Sequence, residues 1–334
     1  MNILIVKLSS LGDVVHAMPA VQDIRRAMAA RGIEARIDWV VEKSFAPLVT
    51  RCEGVRRVIP CELRRWRKTP WAAATRKAWT AFKQDLRAET YDAVIDLQGL
   101  SKSALVAWLA RLSPTGRRYA LANRTEGSGY EAPTRWVADV AVRVTPRIHA
   151  VPRSRELCAR ALGYDWQDWP ERYGLYPHGT ATVGLGAGGR PQLALVHGTS
   201  RADKEWPQAH WIALARRLDA AGLDVALLHG SDEEQDRSER MAADLPNAQV
   251  WPRMSLDALT DALATCAGVI GVDSGLSHIA VALDLPHVQI YNFDTAWRTG
   301  PGGTAGLPRQ RSVYAPLAPS VDLVWQAWQD VSVR

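Results

Sequence analysis

At 334 residues, 47% of them hydrophobic, the chain is long enough for about two domains with real cores and is not a disordered protein. No apolar run approaches bilayer-spanning length, and the opening Met1-Asn2-Ile3-Leu4-Ile5-Val6-Lys7 lacks the basic start and long apolar segment of a signal peptide, so the expected location is the cytoplasm. The formal charge of +6 is unevenly spread: Arg56 to Arg87 carries ten Lys/Arg against Glu62 and Asp85, a net +8, and leaves the remainder slightly acidic.

In chain order, Asn2 to Leu8 reads as a compact apolar strand. Ser9-Ser10-Leu11-Gly12-Asp13 breaks it, and Val14 to Arg31 reads as a helix with Pro19 near its first turn and Gly32 at its stop. Arg36 to Val41 and Val55 to Ile59 are short strands, and the basic window is mostly helical from Trp71 to Ala88. Ala93 to Leu97 is a buried strand, after which Gln98-Gly99-Leu100-Ser101-Lys102-Ser103 turns into a helix through Leu112. A helix around Arg153 to Leu162 precedes the Gly-rich stretch His178 to Pro191. There Gly184, Gly186 and Gly189 match G-x-G-x-x-G, but a strand follows instead of a helix, so a linker is expected and a dinucleotide site is not.

A second alternation then runs to the end. Strands are expected at Leu193–His197, Asp224–His229, Gln249–Trp251, Ala267–Val272 and His287–Tyr291. Helices are expected at Pro207–Ala221, Glu233–Asp244, Leu256–Cys266 and Val321–Val331. Strands alternating with helices at this spacing imply βαβ units, and hence an α/β protein of two Rossmann-like, doubly wound domains facing a central cleft. The expected domains are 1–178 and 179–317, with 318–334 a terminal helix packing back on the first.

The chemistry-bearing residues fall at strand ends, where such sheets place ligands. Gly12 permits close approach in the first turn, and Asp13 reads either as a general base or as a helix cap. His197-Gly198-Thr199-Ser200-Arg201-Ala202-Asp203-Lys204 sets two hydroxyls and a compact cation in a βα loop, a combination suited to a diphosphate. Gly230 to Glu234 offers carboxylates for ribose or an ordinary acidic first helical turn. Gly271-Val272-Asp273-Ser274-Gly275-Leu276-Ser277-His278 is strand, tight turn and helix start; it reads as a phosphate cradle or as a plain N-cap. Arg64-Arg65-Trp66-Arg67-Lys68-Thr69-Pro70-Trp71 mixes cations with indoles and suits nucleic acid, an anionic saccharide or a phospholipid surface. Cys52, Cys61, Cys158 and Cys266 are scattered, indicating reduced thiols. No metal-ligand spacing is visible, so no metal residue is assigned.

Together these residues resemble the lipopolysaccharide heptosyltransferase family of GT-B glycosyltransferases. The resemblance rests on Lys7 to His16, Ile95 to Ser103, His197 to Pro207, Met254-Ser255-Leu256 and Gly271 to His278. It runs nearly end to end, and the Ser9 to His16 form points to the first-heptose branch. It implies an N-terminal acceptor domain, a C-terminal nucleotide-sugar domain, and inverting transfer of heptose from ADP-heptose to the inner Kdo of Kdo2-lipid A.

The resemblance also implies roles for individual residues. Asp13 would be the base and Lys204 would assist catalysis. Thr199, Ser200, Lys204 and Asp273 would hold the donor's sugar and phosphates, Glu234 its ribose and Met254 its adenine. Ser274, Gly275 and His278 would form the diphosphate turn. Ser10, Gly12, Gln98, Lys102, Arg64, Arg65, Arg67 and Lys68 would face the acceptor. Ser200 and Ser274 stand where Thr is expected, and Asn292-Phe293-Asp294 departs from the usual turn after Tyr291. No cofactor is required, any divalent cation having only an assisting role. The remaining partner is the anionic inner face of the inner membrane, not nucleic acid. A related transferase using another nucleotide sugar or core acceptor is the alternative.

Overall fold

The computed structural model describes residues 1–179, 183–186, 188–301 and 309–332. The chain divides into two compact units, Met1–Leu175 and Tyr176–Arg334, a boundary just ahead of the expected 178/179. The first unit holds β1 (Asn2–Val6), β2 (Arg36–Glu42), β3 (Val55–Cys61), β4 (Tyr91–Asp96), β5 (Leu112–Leu121) and β6 (Val140–Val142). The second holds β7 (Gln192–Val196), β8 (Asp224–Leu227), β9 (Ala248–Val250), β10 (Gly268–Val272), β11 (His287–Tyr291) and β12 (Gln310–Tyr314).

Each unit is one six-stranded parallel sheet. The orders are β3-β2-β1-β4-β5-β6 and β12-β11-β10-β7-β8-β9, so that within each unit the strands run 3-2-1-4-5-6. That is the doubly wound order, with its switch points between β1 and β4 and between β7 and β10. Helices cover both faces, so the central strands are apolar along their length. Ile3, Leu4, Ile5 and Val6 are wholly buried, each burial stabilising by about 1.5–3 kcal/mol.

Several boundaries move, each for a local reason. The single expected helix from Val14 is two, Leu11–Val15 and Met18–Ala30, because Pro19 belongs to the first turn of the second and cannot continue the first. The helix after Gln98 stops at Leu109; Arg118 donates to the carbonyls of Ala107, Trp108 and Ala110 and β5 begins at Leu112. β5, β6 and β12 are edge or near-edge strands whose weakly apolar segments do not announce them.

The Gly-rich stretch expected as linker packs tightly where it is described. Gly188 N donates to Asp224 Oδ2 (2.8 Å), Arg190 Nε donates to Asp224 Oδ1 (2.9 Å), and a Cβ on Gly186 would meet Asp224 at 2.5 Å. Residues 180–182 and 187 of that stretch lie outside the described residues. The terminal helix Val321–Ser332 sends Val324, Ala327, Trp328 and Val331 into the second unit's own core, beside Val288 and Ile290 of β11. Its apolar face is thereby committed to its own unit.

The basic window is partly structural. Arg56 makes a two-pronged pair with Asp38 (Nε to Oδ1 and a terminal nitrogen to Oδ2, both 2.9 Å) and meets Glu89 at 3.1 Å, while Arg57 pairs with Asp85 at 3.0 Å. Asp38 is fully buried and also accepts from Tyr91 Oη. Trp66 is core, packed edge-on to Trp79 and against Phe82. The four cysteines are free and buried; burial pushes the thiols of Cys52, Cys61 and Cys266 up to about 12.

Candidate active site: two strand-end constellations

The first constellation lies beyond β1 and β4. Ser10 caps the short helix Leu11–Val15, and Asp13 answers it: the Ser10 N–H and hydroxyl both donate to Asp13 Oδ2, at 3.0 and 2.9 Å. Asp13 is therefore a cap residue as well as a candidate base, since one carboxylate oxygen serves each task. Lys7 is nearly wholly buried, lies 3.6 Å from Asp13 Oδ1, and donates to the Leu97 carbonyl at 3.3 Å. Burial acts to raise the Asp13 carboxyl, but the Lys7 charge and the Ser10 hydrogen bonds outweigh it and hold the group well below the usual carboxylate range.

The surrounding turn is fixed from β4. Gln98 Oε1 accepts from the Leu8 and Ser9 N–H groups, both at 3.1 Å. Gln98, expected against the acceptor, is thus buried and spends its amide oxygen on the turn. Asp96 accepts from the Gln98 and Gly99 N–H groups and from the Ser103 hydroxyl; burial pushes its carboxyl up to about 6. Lys102 Nζ donates to Ser9 Oγ at 2.9 Å. Burial and the nearby Arg64 charge lower the Lys102 ammonium, opposed by Glu42, so Arg64 is the basic-window residue whose charge reaches this turn. Arg65 pairs with Glu62 at 3.1 Å, and Arg67 and Lys68 are exposed.

The second constellation lies beyond β7, β8 and β10. Asp273 is buried and central. Lys204 pairs with its Oδ2, and Gln289, His278 and Thr299 approach Oδ1 at 3.4, 3.4 and 3.5 Å. Thr199 Oγ1 donates to the Asp273 carbonyl at 3.2 Å. Burial would raise the Asp273 carboxyl, yet His278 and Lys204 hold it well below the usual range. Ser274 caps the helix Gly275–Ala282, whose first-turn N–H groups and dipole form an anion site. Ser200 is exposed at the loop tip, and Met254 is half-buried in the loop before the helix Leu256–Ala264.

Glu234 folds back so that its Oε2 accepts from the Gly230 N–H at 2.6 Å. It lies against Gly198, where a Cβ would meet Glu234 Oε1 at 2.3 Å; only glycine there lets the carboxylate reach the β7 end. Asn292 Nδ2 donates to the Asp203 and Glu205 carbonyls at 3.3 and 2.8 Å. The departure from the expected turn after Tyr291 therefore ties down the backbone on either side of Lys204.

Gln289, Thr299, Lys7 and Asp96 carry no assigned role in the sequence reading, and Asn292 stands there only as part of a departure from the usual turn. Lys7 and Asp96 end strands β1 and β4, a position that signals them; Gln289 and Thr299 are recognisable only once the tertiary structure brings them to Asp273. His178 also comes up to Asp257 and Asp261, one turn apart on the helix Leu256–Ala264, so that three ligand atoms lie within 4.8 Å of one another, outside both constellations. No helix among the described residues is long and apolar enough to cross a membrane.

Comparison with known proteins identifies the family. The pattern of glycosyltransferase family 9 (heptosyltransferase) matches residues 79–313. Lipopolysaccharide heptosyltransferase 1 of Pseudomonas aeruginosa is 40% identical over 320 residues, covering 93% of this chain and 82% of that protein. The protein of the same name from Escherichia coli K12 is 37% identical, covering 98% of each chain. The solved structure of E. coli heptosyltransferase WaaC with ADP superposes with a TM-score of 0.85 at 33% identity, covering 99% of this chain and 100% of that one.

Proposed function

We propose, from the fact that this chain belongs to glycosyltransferase family 9 (heptosyltransferase), that it transfers L-glycero-D-manno-heptose from ADP-heptose to the inner Kdo of Kdo2-lipid A. The observation that carries the reading is the Asp273 set: a buried carboxylate holding Lys204 and His278 beside the Ser274-capped helix N-terminus at the β10 switch point. Positive charge and N–H groups concentrated there suit a departing diphosphate, whose charge grows as the glycosidic bond breaks. The WaaC structure contains ADP, which supports an adenine nucleotide as the leaving group here.

In the mechanism, Glu234 binds the ribose and Met254 packs on the adenine. Thr199, Ser200, Lys204 and the 274–275 turn hold the diphosphate. Asp273 positions Lys204. The acceptor hydroxyl attacks from the face opposite ADP, which inverts the anomeric centre. Asp13, held ionised by Lys7 and Ser10, is a weak base toward a free hydroxyl. It takes the proton as the new C–O bond makes that hydroxyl strongly acidic. Lys102 and Arg64, with Arg65, Arg67 and Lys68, meet the acceptor's carboxylates and phosphates. The lipid acceptor sets the work at the cytoplasmic, anionic face of the inner membrane.

Incubation with ADP-heptose and Kdo2-lipid A releases ADP; a folded protein that releases none rejects the reading. A thermal-shift panel of ADP-, UDP- and GDP-sugars singles out ADP-heptose, because a ligand bound only by the native state raises its melting point.

A further inference from the structure

We propose that one helix layer of the first unit is a docking face for an anionic phospholipid surface, with Trp108 and Trp136 entering the headgroup region. The inference rests on the lipid-acceptor reading above and deepens it. Four helices make the layer: Leu63–Lys68, Ala73–Leu86, Ser101–Leu109 and Pro133–Val137. They share one core on the same sheet, to which they send Trp66, Phe82, Val106, Ala107, Leu109 and Val137.

The outward side of this layer combines two features that are rarely combined on a surface facing only water. Of the nine Lys/Arg on its helices, Lys102 turns to Ser9 and Arg65 pairs with the capping Glu62, while the single acid within the helices, Asp85, is occupied by Arg57. Among the described residues, the exposed tryptophans all belong to the layer or its turns: Trp71 is 86% exposed, Trp136 73% and Trp108 60%, with Leu105 one turn from Trp108.

Trp108 and Trp136 follow a common logic. Each precedes a residue that packs inward, Leu109 and Val137, so each is turned out at the last turn of its helix. Arg118 joins the two helix ends, donating to the Trp108 carbonyl at 3.3 Å and lying 3.9 Å from Asp139 Oδ2 just beyond the second helix. An exposed indole leaves its large apolar ring in water, whereas at a headgroup boundary the ring and the N–H are both satisfied. Lys and Arg beside them are attracted by an anionic leaflet within a Debye length. The helix that carries Leu105 and Trp108 has Lys102 in its first turn, and Lys102 donates to Ser9 beside Asp13. A face seated on the bilayer through this layer therefore leads along one helix to the candidate base.

The test is flotation with vesicles of phosphatidylethanolamine and phosphatidylglycerol, against vesicles of phosphatidylcholine alone. The wild type floats with the anionic vesicles and loses binding as salt rises. Trp108→Ser with Trp136→Ser lowers the bound fraction about tenfold, and Arg76→Glu with Lys77→Glu does the same through charge. All these side chains are at the surface, so circular dichroism and melting point stay as in the wild type. ADP release with a water-soluble, deacylated Kdo acceptor is unchanged in both variants, while turnover of vesicle-borne Kdo2-lipid A falls. Flotation of the tryptophan variant equal to wild type overturns the proposal. So does a wild type that fails to float but forms a dimer dissolved by Trp108→Ser with Trp136→Ser, which would assign the face to a second copy. No ADP release with either acceptor rejects the transferase reading separately, whatever the flotation result.

Discussion

Lys7 Nζ lies 3.6 Å from Asp13 Oδ1, buried at the end of β1 and anchored on the Leu97 carbonyl. A strand-end lysine thereby sets both the charge and the aim of the carboxylate six residues later. Asp13→Ala removes the proposed proton acceptor and lowers turnover at least about 100-fold, with ADP affinity by calorimetry nearly unchanged, since the nucleotide's proposed partners lie in the second unit. Loss of ADP binding as well would mark Asp13 as structural. Lys7→Met removes the largest influence holding Asp13 down and moves the acid limb of kcat/KM up toward the ordinary carboxylate range.

Glu234 rests on Gly198. Gly198→Ala puts a Cβ 2.3 Å from Glu234 Oε1 and displaces the carboxylate, so it weakens ADP-heptose binding much as Glu234→Ala does. The double variant is scarcely worse than either single one, because both act through the same carboxylate. Additive losses in a double-mutant cycle would separate the two residues.

Asn292→Ala removes two side-chain hydrogen bonds to the 203–205 backbone. The expected cost is about 1 kcal/mol for each bond. The readout is a raised KM for ADP-heptose with kcat little changed, as Lys204 loses its fixed position. An unchanged donor KM would show that the turn holds itself.

Stability of the second unit falls on acidification. His197 and His287 are wholly buried, and burial lowers each to about 4. Unfolded, each titrates near 6.5, so between about pH 6.5 and 4 the unfolded chain binds more protons. The stabilisation present above that window is lost as pH falls, at about 1.4 kcal/mol per pH unit for each group. Asp96 runs the other way: raised to about 6, it favours the fold at lower pH and loses that contribution as pH rises through its folded value. A melting curve recorded from pH 7 to 5 therefore drops for the transition that contains the histidines. His287→Asn, which keeps a donor toward the Val269 carbonyl, flattens the slope.

Much of this was legible in the sequence because it is local. Apolar runs of strand length, alternating with amphipathic helices, specify two doubly wound units. The turns after β1, β7 and β10 announce themselves as abrupt changes from apolar to small and polar residues. Asp13, Lys204 and Asp273 could be located from those changes, since in a parallel sheet a strand's carboxyl end is where a polar turn has to emerge. Each turn also kept two meanings, cap or ligand site, because both use the same side chains and the same helix N-terminus.

What only the tertiary structure decided is which partners stand across the sheet. Parallel pairing of β10 with β11 brings Gln289 to Asp273, the β4 end brings Gln98 under the Ser9 turn, and Gly198 admits Glu234. The same is true of the cations and indoles between Arg56 and Trp136. Composition showed a net +8, but the fold ties Arg56 and Arg57 to acids, buries Trp66, and leaves Trp71, Trp108 and Trp136 outside. Sequence period fixes the face of an element; the pairing of elements distant in the chain fixes what that face meets.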